Sequence, residues 1–98
     1  MYLGIVATDE TAEDPLVGLA EAAVARGWQC RCFLTDSGVR LLSSSRLLEL
    51  ARAGKLRIDA CEYSWEKFGD GAAPAGVTMA GQLMNAQLAH ECDKVIVL

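Results

Sequence analysis

The sequence predicts an α/β protein, a three-layer α/β/α sandwich of the doubly wound kind on a mainly parallel sheet of four to five strands. Three observations carry this expectation. Short apolar runs alternate with helix-like segments in the order βαβαβαβ, and units of this length imply parallel strands with helices on both faces. The helical segments carry matching start and stop residues. The chain has 98 residues without an internal repeat, low-complexity tract or long linker, so one domain spanning 1–98 is expected.

The elements follow in order. YLGIVAT (2–8) reads as a buried strand. DPLVGLAEAAVARG (14–27) reads as a helix, with Asp14 as N-cap, Pro15 at the first helical position and Gly27 at the close. Leu16, Leu19, Ala20 and Ala23 share one face at helical spacing. WQCRCFLT (28–35) is a second strand, and DSGVRLL (36–42) is a turn followed by an apolar run that periodicity does not classify. SSRLLELARAG (44–54) is a second helix, capped by serine and closed by Gly54. KLRIDAC (55–61) is a third strand, residues 62–76 read as a loop, VTMAGQLMNAQLAHE (77–91) as a third helix, and DKVIVL (93–98) as the last strand.

Composition narrows the function classes. The apolar fraction, 52%, is high for a soluble protein. Either the core is generous or apolar surface is covered by another subunit, and the second is the expectation here. A net charge of −4 with scattered basic residues argues against nucleic acid as a main partner. No run of 18 apolar residues is present, so no membrane span is expected. The start MYLGIVATDE has neither a basic region nor a small-residue cleavage site, so a cytoplasmic protein with reduced cysteines is expected.

In a parallel α/β sheet, ligands bind at the carboxyl ends of the strands. That edge collects TDETAED (8–14), TDS (35–37) and CEYSW (61–65). Its loops contain no G-x-G-x-x-G or G-x-x-x-x-G-K phosphate cradle. Asp9, Glu10, Glu13, Asp14 and Asp36 make it acidic, which reads as a solvated face and a helix cap. Asp9 and Asp36 are also candidates for lining a pocket.

Of the four cysteines, Cys61 alone falls on this edge. Cys30 and Cys32 alternate onto one face of a strand under a helix, where free cysteine behaves as a small hydrophobe. A C-x-C pair lacks the ligands of a zinc site, and no metal or cofactor is expected. Cys92 and His90, the only histidine, belong to the opposite edge, so a Cys–His dyad within one subunit is not expected. Free N–H groups of a helical turn in EYSWEKF would favour a Cys61 thiolate. Glu62 would disfavour it, and Lys67 would offset Glu62 by folding back. The residues alone leave open whether Cys61 is reactive or a packed strand end.

Three stretches, IVATDETAEDPLVGLAEAAVARGW, CFLTDSGVRLL and IDACEYSWEKFG, resemble the DsrE/DsrF-like family, which includes the sulfur-relay subunits of the Tus type. The closing GQLMNAQLAHECDKVIVL is similar to the family's last helix and strand, so the likeness spans the chain. It implies a flavodoxin-like fold and an oligomer, a trimer or hexamer of identical or homologous subunits. It also implies that a cysteine after the third strand, here Cys61, accepts sulfur as a persulfide from a donor protein and passes it to an acceptor. Many members carry a further strand after the one that closes this chain, and some lack the cysteine and serve as structural subunits.

Two functions follow. One is a sulfur carrier or sulfurtransferase using Cys61, with Glu62, Ser64 and Lys67 in support and Tyr63, Trp65 and Phe68 as shelter or partner-facing patch. The other is a non-catalytic assembly subunit or small-molecule-binding module on the same scaffold.

Overall fold

Strands Tyr2–Ala7 (β1), Gln29–Leu34 (β2), Arg57–Cys61 (β3), Val77–Ala80 (β4) and Lys94–Val97 (β5) form one five-stranded sheet in a computed structural model that describes residues 1–98. Every pairing is parallel and the order is β4-β3-β2-β1-β5. The chain steps outward from β1 to β4 and then crosses back, so β5 lies on the far side of β1. Helices Glu13–Ala25 (α1), Ser45–Arg52 (α2), Glu62–Phe68 (α3) and Leu83–Glu91 (α4) cover the sheet. The layers are those of a flavodoxin-like α/β/α sandwich, with the reversal made by the last strand.

Strand alternation divides the core in two. Leu3, Ile5, Ala7, Cys30, Cys32, Leu34, Ile58 and Ala60 form one face, and Leu16, Val17, Ala20 and Ala23 of α1 and Leu47 of α2 pack with them. On the other face Val6, Phe33 and Cys61 pack with Leu88 of α4 and Cys92. The C-x-C pair is therefore buried packing on the α1 face, and Cys61 belongs to the opposite layer.

That second face also buries charge. Arg31, 1% exposed, donates to Asp59 Oδ2 at 2.9 Å and to Glu91 Oε2 at 2.6 Å. Arg31 Nε and Asp59 Oδ1 have no hydrogen-bond partner. An incompletely satisfied buried pair gives back little of its desolvation cost.

Several expected boundaries are corrected. Residues 77–91 are not one helix: Val77–Ala80 pairs with β3 from Ile58↔Val77 to Cys61↔Ala80, and the helix begins only at Leu83. Backbone pairing on an open sheet edge outweighs the helix-like pattern, and the additional strand lies inside the chain. The loop expected at 62–76 contains α3, and the unclassified run after β2 is a 3₁₀ segment, Asp36–Ser43. Asp14 does not cap α1. A 3₁₀ turn, Glu10–Ala12, runs directly into that helix, so the cap falls earlier, at Asp9, whose Oδ1 accepts the Thr11 N–H at 3.2 Å. Asp14 instead accepts from Arg46 at 2.7 Å. The serine cap of α2 is Ser44, which accepts the Leu47 N–H.

Candidate functional site

Cys61 ends β3 in extended conformation and is the residue before α3. Glu62 in the first turn and Lys67 in the last complement the charges of the helix ends. The Gly69 N–H closes the helix on the Trp65 carbonyl at 2.8 Å. Chain direction thus places the sulfur at the carboxyl edge of the sheet, beside the first N–H groups of a helix.

A second loop converges there. Thr35 leaves β2, its N–H bonded to the Ala7 carbonyl at 3.0 Å. Asp36 adopts a left-handed φ of 52°, a conformation aspartate tolerates. Gly38 then passes so close to β1 that a Cβ there would lie 2.2 Å from the Ala7 oxygen. This tight turn aims the Asp36 N–H at Ser64 Oγ, 2.8 Å away. A third segment, between β4 and α4, brings Gln82, whose Nε2 donates to Cys61 Sγ at 3.3 Å and to Thr35 Oγ1 at 3.2 Å.

Burial pushes the Cys61 thiol up, but the Ser64 hydroxyl, the Ser64 N–H, the Gln82 amide and the Tyr63 N–H together outweigh it, and the net shift is downward. Of these donors the Gln82 amide makes the well-formed hydrogen bond to the sulfur; no side-chain cap bond joins Cys61 to α3. The other cysteines move the opposite way. Burial, then Cys92, pushes Cys30 up to about 11. Burial raises Cys32 and Cys92. Cys61 alone combines a favoured thiolate with a cavity.

That cavity, of about 540 Å3, is lined by Asp36, Ser37, Cys61, Tyr63, Ser64, Lys67, Phe68 and Gln82. Cys61 is 1% exposed, so its sulfur is sheltered, while Tyr63 at the rim is 78% exposed. Glu62 points to solvent, where water screens its charge. Lys67 stands over the Phe68 ring at 5.5 Å. Trp65 faces the other side of α3, and its indole N–H donates to the Gly71 carbonyl at 3.0 Å. Asp9 caps its 3₁₀ turn and is not part of this cavity. Gln82 and Ser37 are the lining residues that the sequence did not single out, and of the two only Gln82 bonds the sulfur. Reading 77–91 as one helix buried the signal, which was the glycine before it, Gly81.

A slightly larger cavity, about 560 Å3, lies beyond α3 against Trp65 and Phe68. It holds no thiol, and within it Arg40 pairs with Glu10 at 3.0 Å and Ser44 with Glu13 at 2.8 Å. The cavity of Cys61 is the one that joins a thiol of lowered pKa to converging hydrogen-bond donors. His90 is exposed in the last turn of α4, and no group of three or more His, Cys, Asp or Glu side chains is placed to hold a metal ion.

With this geometry in hand, comparison with known proteins bears on the scaffold. No protein-family model and no curated protein matches the chain. Among solved structures, one aligns over 100% of both chains with a TM-score of 0.72. The chain shares its fold with the E. coli YchN protein. Sequence identity with YchN is 16%, so the likeness speaks for the fold alone. No helix is long and apolar enough to cross a membrane.

Proposed function

We infer that the chain is a sulfur carrier that forms a persulfide on Cys61. The observation that carries this reading is a sheltered thiol whose ionised form is favoured by converging donors, at the chemical edge of the sheet. The sequence resemblance to DsrE/DsrF-like proteins supports it independently. In the proposed step the Cys61 thiolate attacks the outer sulfur of a donor persulfide. A new S–S bond forms on Cys61, the donor's S–S bond breaks, and the donor leaves as a thiolate. An acceptor thiolate then attacks the outer sulfur and restores the Cys61 thiolate. No net oxidation occurs, and no metal or cofactor enters. The chemistry needs reduced thiols, which fits a cytoplasmic setting.

Donor and acceptor are proteins that dock over the Tyr63 rim in this reading. Leu83 and Val97, 73% and 68% exposed, support a further contact with copies of the chain or homologous subunits, as a trimer or hexamer. The same exposed residues favour the second reading, an assembly subunit without chemistry. A transfer assay separates the two. The protein is loaded with a small persulfide, freed of donor and mixed with a small thiol acceptor. Sulfur passing to the acceptor from wild type and not from Cys61→Ser supports the carrier; none from wild type supports the assembly subunit.

A further inference from the structure

Arg31 reaches across the second face of the sheet and holds α4 at both ends. Its Nη1 donates to Glu91 Oε2 in the last turn at 2.6 Å, and its Nη2 to Met84 Sδ in the first turn at 3.1 Å. The same Nη2 donates to Asp59 Oδ2 at 2.9 Å, two residues before Cys61 on β3. A guanidinium only donates, and its planar fork fixes these directions. The helix has little else to hold it. Of its nine residues Leu88 alone is buried, in the cluster of Val6, Phe33, Cys61 and Cys92, and apolar contact is not directional. Gln82 is carried by this helix. The Met84 N–H bonds the Gly81 carbonyl and the Asn85 N–H the Gln82 carbonyl, both at 3.0 Å, so Gln82 moves with the first turn. β4 fixes the chain only as far as Ala80, beside Cys61, and Gly81 adds little backbone restraint of its own. The place of α4 on the sheet therefore decides whether Gln82 Nε2 lies 3.3 Å from Cys61 Sγ.

We propose that Arg31 is a positioning residue: without touching Cys61, it holds α4 on β3 and so keeps the Gln82 amide on the sulfur. This inference rests on Cys61 being the working thiol and goes beyond the sulfur-carrier reading by giving the buried ion pair a task in the site. Burying Arg31 and Asp59 is costly, and apolar residues would fill the same space without that cost. Directed bonds to both ends of a helix supply what apolar packing lacks, a single seating of α4 against the strand that ends in Cys61.

The test is the pH profile of Cys61 alkylation, read by peptide mass, which requires no persulfide. Arg31→Met removes the guanidinium and keeps an unbranched apolar side chain. Losing the Gln82 hydrogen bond is expected to move the midpoint upward and slow labelling at neutral pH by about threefold to tenfold. Gln82→Leu alone is expected to give the same shift, and Arg31→Met to add little in that background. Asp36 and Lys67, the charged residues lining the cavity, and Glu62, which points to solvent, stay in place in every variant. A direct effect of the lost Arg31 charge would instead persist in the Gln82→Leu background. A wild-type profile in Arg31→Met, or a shift undiminished by Gln82→Leu, overturns the proposal. If Arg31→Met does not fold, Glu91→Ala, which breaks the 2.6 Å bond at a half-exposed side chain, carries the same comparison. Should wild type fail to load sulfur while Arg31→Met still shifts the profile, the carrier function falls and the positioning role stands.

Discussion

The Gln82 amide donates to the Cys61 sulfur at 3.3 Å, joining the connection before α4 to the end of β3. A thiolate only accepts hydrogen bonds, so this contact favours the ionised sulfur. Cys61 is therefore expected to alkylate with a pH midpoint below the free-cysteine value of roughly 8.5. Gln82→Leu is expected to raise that midpoint and leave thermal stability nearly unchanged, because Gln82 is exposed. A midpoint unchanged by the substitution would remove Gln82 from the site.

The buried thiols give an alkaline prediction with a definite sign. Cys30 is held protonated by burial, then by Cys92, with its pKa raised from 9.0 to about 11. Its stability contribution is fully present below pH 9 and is lost as pH rises from 9 to 11. The loss amounts to at most about 3 kcal/mol. Cys61, shifted down, contributes with the opposite sign: its share is present above the ordinary thiol range and is lost as pH falls through the folded pKa. Urea unfolding across that alkaline window should show wild type losing more stability than Cys30→Ala; parallel curves would contradict the assignment.

The Arg31–Asp59 pair should behave as a costly buried network. Asp59→Asn removes the 2.9 Å carboxylate and leaves Arg31 with Glu91 at 2.6 Å, and it is expected to destabilise by about 1.5–3 kcal/mol. Replacing both members together, Arg31→Met with Asp59→Leu, is expected to recover most of that loss. Denaturant midpoints measure both. A double variant as unstable as the single one would show that the pair stabilises the fold outright.

Two glycines separate backbone from side-chain crowding. At Gly38 an added Cβ meets the Ala7 carbonyl oxygen at 2.2 Å, which cannot move without displacing β1. At Gly4 it meets Leu88 Cδ2 at 2.7 Å and Cys92 Sγ at 2.8 Å, both side-chain atoms that can turn. Gly38→Ala is expected to cost more than about 2 kcal/mol and Gly4→Ala about 1 kcal/mol. Thermal melts give the ranking, and the reverse order would contradict the tight approach of the Thr35–Gly38 turn to β1.

The readable parts of the fold were those with strong local punctuation. β1, β2, β3 and β5 are apolar runs bounded by turns, and α2 carries its serine cap. β4 was hidden because four residues of mixed exposure show no alternation, and its partner strand is distant in sequence. α3 was hidden because its single buried residue is a serine, so it has no apolar stripe. In the site, Cys61, Ser64 and Asp36 could be gathered from strand order alone. Gln82 could not, because its role comes from where β4 folds.

The central claim is that Cys61 holds transferable sulfur. Intact-mass spectrometry after incubation with a small persulfide donor tests it most directly. The account predicts a mass gain of one sulfur atom on wild type and none on Cys61→Ser. Unmodified wild type, or equal loading of both proteins, would contradict it.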